Sequence, residues 1–161
     1  MSDGAPKRRG PGPGAQLPHF SRSLPMSLLR GREAVMRRFR PVLRRHRITE
    51  QQWRVLRALS AVETIEVAAL ARTTCLLGPS LSRILADLEA RGFIARTTDP
   101  ADLRRGYIAI SRDGRRLIDT VSPESEAIYG EIVARFGAGR LADLQTMLAM
   151  LEESLVEEND G

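Results

Sequence analysis

The chain has 161 residues, one cysteine, 4% aromatic residues and a formal net charge of +5. That length supports one ordinary domain with a core; a lone Cys75 rules out an intrachain disulfide and a cysteine-based zinc site; so few aromatics argue against a stacking platform for single-stranded nucleic acid. No stretch approaches the ~20 apolar residues of a membrane span, and the N-terminus lacks the apolar run of a secretory signal, so a cytoplasmic protein without membrane contact is expected. The basic excess favours a polyanionic partner but is modest, so its placement has to decide.

Residues 1–24 are rich in Gly, Pro and basic side chains. Such a composition cannot bury a core, and it is read as a disordered tail. Lys7, Arg8 and Arg9 there are either solvated or in touch with phosphates. From Pro25 to His46 the pattern turns helical, with Leu28, Leu29, Met36, Phe39, Val42 and Leu43 at three- and four-residue spacing and arginines opposite. Pro41 is expected to kink this helix. Thr49 and Gln52 form a capping-box signature at the start of the next helix, whose buried stripe is Trp53, Leu56, Leu59 and Val62. A strand-like piece, Glu63 to Ile65, leads into a short helix over Glu66–Thr73 with Val67, Leu70 and Ala71 inward.

Gly78-Pro79-Ser80 opens another helix, since Pro in the first turn has no donor to lose and Ser suits a helix entrance. Leu81, Ile84, Leu85 and Leu88 are its core face, and Gly92 ends it in a left-handed cap. Phe93–Thr97 and Tyr107–Ile110 read as two strands of a hairpin whose loop, from Asp99 to Gly106, contains Pro100 and a basic pair. Ser111-Arg112-Asp113-Gly114 begins a helix that Pro123 interrupts and that Gly137 and Gly139 end. The last helix places Leu141, Leu144, Leu148, Leu151 and Leu155 in a narrow seam of the kind that packs helix on helix.

These elements make a mostly α chain with a small β-hairpin wing (α+β), namely a winged helix-turn-helix with a helical dimerisation region. The expected division is a tail (1–24), a DNA-binding lobe (48–111) and a dimerisation region built from 25–47 and 112–157. Ser80, Ser82 and Arg83 point outward near the N-terminus of the second helix of the helix-turn-helix, where hydroxyls and a guanidinium suit phosphates and base edges. Arg104 and Arg105 sit at the hairpin tip, suited to the negative potential of a narrow minor groove. Asp102 is placed to orient the Arg104 guanidinium. The flanking helices supply a homodimer, because two-fold DNA readers need modules ~34 Å apart.

The chain resembles the MarR family of winged-helix regulators over residues 25–157. The resemblance is carried by Ile48 through Trp53, Pro79 through Leu85, Leu88 through Ile94, and Asp102–Arg105 leading to Ile110 through Gly114. Within the family it is most similar to the HpaR-like subgroup of homoprotocatechuate and other aromatic-acid catabolism, on Arg32 through Met36, Phe39-Arg40-Pro41, Thr49 through Arg54, Cys75 and Pro79-Ser80-Leu81. Leu103 departs from the polar or basic residue of many relatives, which touches only a secondary phosphate contact.

The resemblance implies a homodimeric, ligand-responsive repressor. It would bind a pseudo-palindromic duplex operator and be released by a small aromatic carboxylic acid, homoprotocatechuate- or hydroxynicotinate-like, with no other cofactor. By match of position, Ser80, Ser82 and Arg83 face the major groove, and Arg104, oriented by Asp102, the minor groove. An anionic aromatic needs a cation and apolar walls. Arg30 and Arg32 are the carboxylate candidates, Arg40 an equal alternative, Met36, Trp53 and Cys75 wall candidates, and Ser27 a hydroxyl. Trp53 and Met36 fit a core equally well.

Catalysis finds no support in the sequence. His19 and His46 lie outside any carboxylate cluster at ligand spacing, and no phosphate loop or nucleophile motif occurs, so neither an enzyme nor a metal site is expected. The alternative regulator senses oxidants through Cys75, but its apolar neighbours Leu76 and Leu77 point to a buried structural thiol.

Overall fold

A computed structural model of the chain describes residue 20 and residues 22–99, 101–102 and 106–156. The tail reading therefore falls largely outside the described residues, as do Leu103, Arg104 and Arg105 at the hairpin tip. Two compact units divide the chain, Met1–Val35 and Met36–Gly161.

The first unit contains the opening turns of helix α1 (Leu24–Arg45). The Ser23 hydroxyl donates to the Phe20 carbonyl at 2.9 Å, and Arg32 pairs with Glu33 at 3.0 Å. Leu24, Leu28, Leu29 and Val35 are exposed.

The second unit holds the rest of α1 and every other element. Helical assignment continues through Pro41. The helix ends where Arg47 turns left-handed, at φ 55°, letting the Ile48 amide reach the Leu43 carbonyl at 3.0 Å; this six-to-one bond is the Schellman closure. Helix α2 (Glu50–Ser60) starts with the expected reciprocal cap: Thr49 Oγ1 accepts from the Gln52 amide at 3.1 Å, and Gln52 Oε1 accepts from the Thr49 amide at 2.9 Å. Trp53, Leu56 and Leu59 are buried as read, but Val62 lies beyond the helix and is exposed.

Strand β1 (Ile65–Glu66) is short and shifted C-terminally from its expected place. Helix α3 (Val67–Thr74) and helix α4 (Gly78–Ala90) form the helix-turn-helix. Cys75 closes α3 at φ 50°, and the Leu76 amide bonds the Ala71 carbonyl at 3.1 Å. The α4 N-cap is Leu77, which offers no side-chain acceptor, so Ser80 sits inside the first turn and does not cap it. Gly92, at φ 75°, is the expected left-handed residue after α4.

Strands β2 (Ile94–Thr98) and β3 (Gly106–Ile110) pair antiparallel, with Ile94 opposite Ile110 and Arg96 opposite Ile108. The structure extends this hairpin to three strands: β1 pairs with the other edge of β3, Ile65 opposite Ile108, giving the order β1-β3-β2.

Helix α5 (Arg112–Phe136) runs unbroken through Pro123, contrary to the expected interruption. An interior proline costs on the order of 3 kcal/mol. Both flanks of Pro123 are held in the helix by contacts: Val121 is fully buried, and Glu124 bonds His46 at 2.8 Å and pairs with Arg45. Gly137 caps α5, whereas Gly139 lies within helix α6 (Ala138–Val156).

The core is one cluster from Val42 to Val121, centred on Leu43, Leu56, Leu59, Leu70, Leu81, Leu85, Leu88 and Ile108. Helix α6 adds no buried residue to it.

Candidate nucleic-acid interface and a helix-lined cleft

Helix α4 separates its faces as its spacing demands. Leu81, Leu85 and Leu88 are buried, while Ser80, Ser82 and Arg83 are exposed. Arg83 has no ion pair among the described residues. The acidic residues farther along α4 are engaged. Asp87 accepts from Gln52 Nε2 at 2.7 Å and from Arg91 at 3.4 Å, and Glu89 meets Arg96 of β2 at 3.2 Å. The first turns of α4 therefore present hydroxyls, an uncommitted guanidinium and the positive end of the helix dipole, a combination that attracts phosphate and reads base edges.

Three ties hold α4 in place. Gln52, itself buried, joins it to α2. Arg54 of α2 donates to the Thr74 carbonyl at 2.8 Å and so fixes the end of α3. Ser111 donates to the Gly92 carbonyl at 2.6 Å while accepting from the Gly114 amide at 3.0 Å, which locks the base of the hairpin to the start of α5. Beyond Ile94, strand β2 is solvated: Ala95, Arg96, Thr97 and Thr98 are exposed, while β3 is half-buried or buried. Asp102 is exposed at the hairpin loop. Its expected partner Arg104, with Arg105, lies outside the described residues.

The expected effector set is dispersed. Ser27, Arg30 and Arg32 are exposed in the first unit. In the second unit, Met36 is half-buried, Arg40 pairs with Glu50 at 2.8 Å, and Trp53 is buried with the Arg57 guanidinium 5.9 Å from its ring centre. Cys75 is exposed, not buried as expected; the left-handed turn that closes α3 directs it outward, away from the core that its neighbours' hydrophobicity implied.

A cleft of about 310 Å³ opens elsewhere in this unit, lined by Phe39 of α1, Arg57 of α2, and Ser122, Ser125, Glu126 and Tyr129 of α5. None of the seven expected residues lines it. The signal that could have found it is modest: Arg57 follows Trp53 by four residues, so the two share a helix face. Among the described residues no cluster of three or more His, Cys, Asp or Glu could hold a metal ion, and no described helix is long and apolar enough to cross a membrane.

Residues 48–105 match the family described as MarR. The homoprotocatechuate degradative operon repressor of Escherichia coli is 37% identical over 126 residues, 78% of this chain and 85% of that protein. The chain belongs to the MarR family. This MarR-family chain also superposes on the crystal structure of transcriptional regulator PA4135 with a TM-score of 0.78 at 40% identity, covering 81% of this chain and 96% of that one. The crystal structure of NadR in complex with 4-hydroxyphenylacetate aligns with a TM-score of 0.71 at 32% identity, covering 88% and 97%. With its three-stranded sheet and helix-turn-helix, the chain is a MarR-type winged-helix transcriptional regulator and not an enzyme.

Proposed function

We propose that this regulator is a cytoplasmic, homodimeric repressor that binds a pseudo-palindromic duplex operator and is released by a small aromatic carboxylic acid. Residues 48–111 act as the DNA-binding lobe, and 25–47 with 112–157 as the dimerisation region. Ser80, Ser82 and Arg83 enter the major groove. Arg104 and Arg105, with Asp102 as orienter, serve the minor groove. The exposed strand β2 and the exposed Ser80, Ser82 and Arg83 in the first turns of α4 support that assignment.

The observation that carries the effector is the cleft. Arg57 offers a cation for a carboxylate, Phe39 a wall for a ring, and Ser122, Ser125, Glu126 and Tyr129 polar groups for ring hydroxyls. Its volume is at the small end of ligand sites, roughly 300–1,000 Å³, which suits a single ring. The 4-hydroxyphenylacetate complex of NadR supports the same ligand class. We therefore assign the carboxylate to Arg57 in place of Arg30, Arg32 or Arg40, with the Trp53 ring beneath the Arg57 guanidinium.

A gel-shift titration tests this, using the chain's own upstream DNA and a panel of hydroxylated phenylacetates, benzoates and nicotinates. One compound should release the DNA, and Arg57→Ala should weaken that response by about 10- to 100-fold, the scale of a charged hydrogen bond, while leaving DNA binding intact. Tight binding that no compound disturbs overturns the effector reading. Release by peroxide that Cys75→Ala abolishes favours oxidant sensing, to which the exposure of Cys75 gives access.

A further inference from the structure

Helix α2 touches both ends of the regulatory problem between Gln52 and Arg57. Gln52 donates to Asp87 of α4 at 2.7 Å, Arg54 to the Thr74 carbonyl at the end of α3 at 2.8 Å, and Arg57 lines the cleft. Val55, Leu56 and Leu59, all fully buried, anchor the same helix. Close packing makes such a helix move as a body rather than bend between its contacts.

The α4 end of this connection falls on the reading face. Ser80, Arg83 and Asp87 stand three and four residues apart, in one row of the helix. Gln52 has little freedom to let go: it is buried, its Oε1 holds the Thr49 amide, and its Nε2 holds Asp87. A buried amide stripped of its partner keeps the full cost of its desolvation.

We propose that Gln52 and Asp87 are positioning residues that couple effector binding at Arg57 to the orientation of α4. An acid drawn to Arg57 displaces α2, and α2 carries the Ser80–Arg83 row through the Gln52–Asp87 bond and the end of α3 through Arg54. This rests on the effector cleft proposed above. The two states differ in how α2 sits, and the acid biases them by its differential affinity.

Trp53 is the chain's one tryptophan, and Arg57 lies over its ring, so its fluorescence reports cleft occupancy. The experiment uses the full chain, its own upstream DNA and 4-hydroxyphenylacetate as probe. It reads the probe Kd by fluorescence and the operator Kd with and without saturating probe. In the wild type the probe should weaken operator binding by about tenfold or more. Gln52→Glu keeps the capping-box acceptor but cannot donate to Asp87 and opposes it with like charge. It should leave the probe Kd unchanged and cut the coupling factor about threefold or more. The swap Gln52→Glu with Asp87→Asn reverses donor and acceptor and should restore coupling; a probe Kd that stays at the wild-type value in both variants separates coupling from a merely structural role.

Should Gln52→Glu fail to fold, Asp87→Ala breaks the same bond from α4. Full coupling in the broken-bond variant overturns the proposal, as does loss of coupling that merely follows loss of probe binding. A wild-type fluorescence response without any operator effect overturns the coupling and leaves the cleft standing. Absence of both responses overturns the cleft reading and this proposal with it.

Discussion

A Cβ built on Gly114 would meet the Phe93 carbonyl oxygen at 2.2 Å and Ile110 Cγ1 at 2.7 Å. The same carbonyl accepts from the Ser111 amide at 2.9 Å, and the Gly114 amide donates to Ser111 Oγ. A methyl group here must push a backbone carbonyl out of the junction that joins β3 to α5. Gly114→Ala should destabilise the chain by about 1–3 kcal/mol, the cost of overpacking a filled site; urea unfolding checks it. From the sequence, Gly114 reads only as part of a helix start, because nothing local reveals a carbonyl brought in from Phe93. Thr49, Gln52 and Gly92 were legible, since caps and glycine turns act within a few residues. Arg47 and Cys75 were not: residues with a Cβ pay roughly 1–2 kcal/mol in the left-handed region, so no propensity marks them as the closures of α1 and α3.

Ion pairs link helices α1 and α5. Arg38 pairs with Glu131, and Glu124 meets both Arg45 and His46. The hydrogen bond from His46, more than the charge of Arg45, holds the Glu124 carboxyl below its ordinary value near 4.5. A depressed carboxyl favours the folded chain above that ordinary value, and the contribution fades as pH falls through the lower, folded value. Stability of the wild type should therefore drop more steeply below pH 4.5 than that of Glu124→Gln, in thermal melts taken from neutral pH downward. Identical acid slopes would remove Glu124 from this role. The same contacts explain why Pro123 does not break α5. In the sequence Pro123 stands only against its local neighbours, whereas the contacts that hold its flanks come from a helix far earlier in the chain.

At the scale of the whole molecule, helix α6 meets α5, where Gln145 donates to the Tyr129 hydroxyl at 3.2 Å, but leaves most of its apolar side chains uncovered. Leu144, Met147, Leu148, Met150, Leu155 and Val156 are all exposed, and the helix buries no residue. Exposed apolar side chains on one helix are what an association site offers, and the proposed homodimer would cover the leucine seam with a second copy of the chain. Leu148→Glu would place an unpaired carboxylate in that seam, at a cost of several kcal/mol if it stayed buried. The variant should shift from dimer to monomer in light scattering at micromolar concentration, and its operator binding should weaken about tenfold or more as two linked half-sites become independent. A monomeric wild type would overturn the dimer outright.

Periodicity, caps and turn residues act over a few positions, and by themselves they determined the helix-turn-helix, the hairpin after it and most of the core faces of α2 and α4; the family came from the likeness of those segments to known regulators. The tertiary structure alone decided where the strand-like piece before α3 pairs, since Ile65 joins the sheet only by finding Ile108. It also decided the outward placement of Cys75 and the cleft formed by Phe39, Arg57 and Tyr129. Such a cleft is the space left between three packed helices. Its lining depends on how they cross, which no local pattern in any one of them encodes.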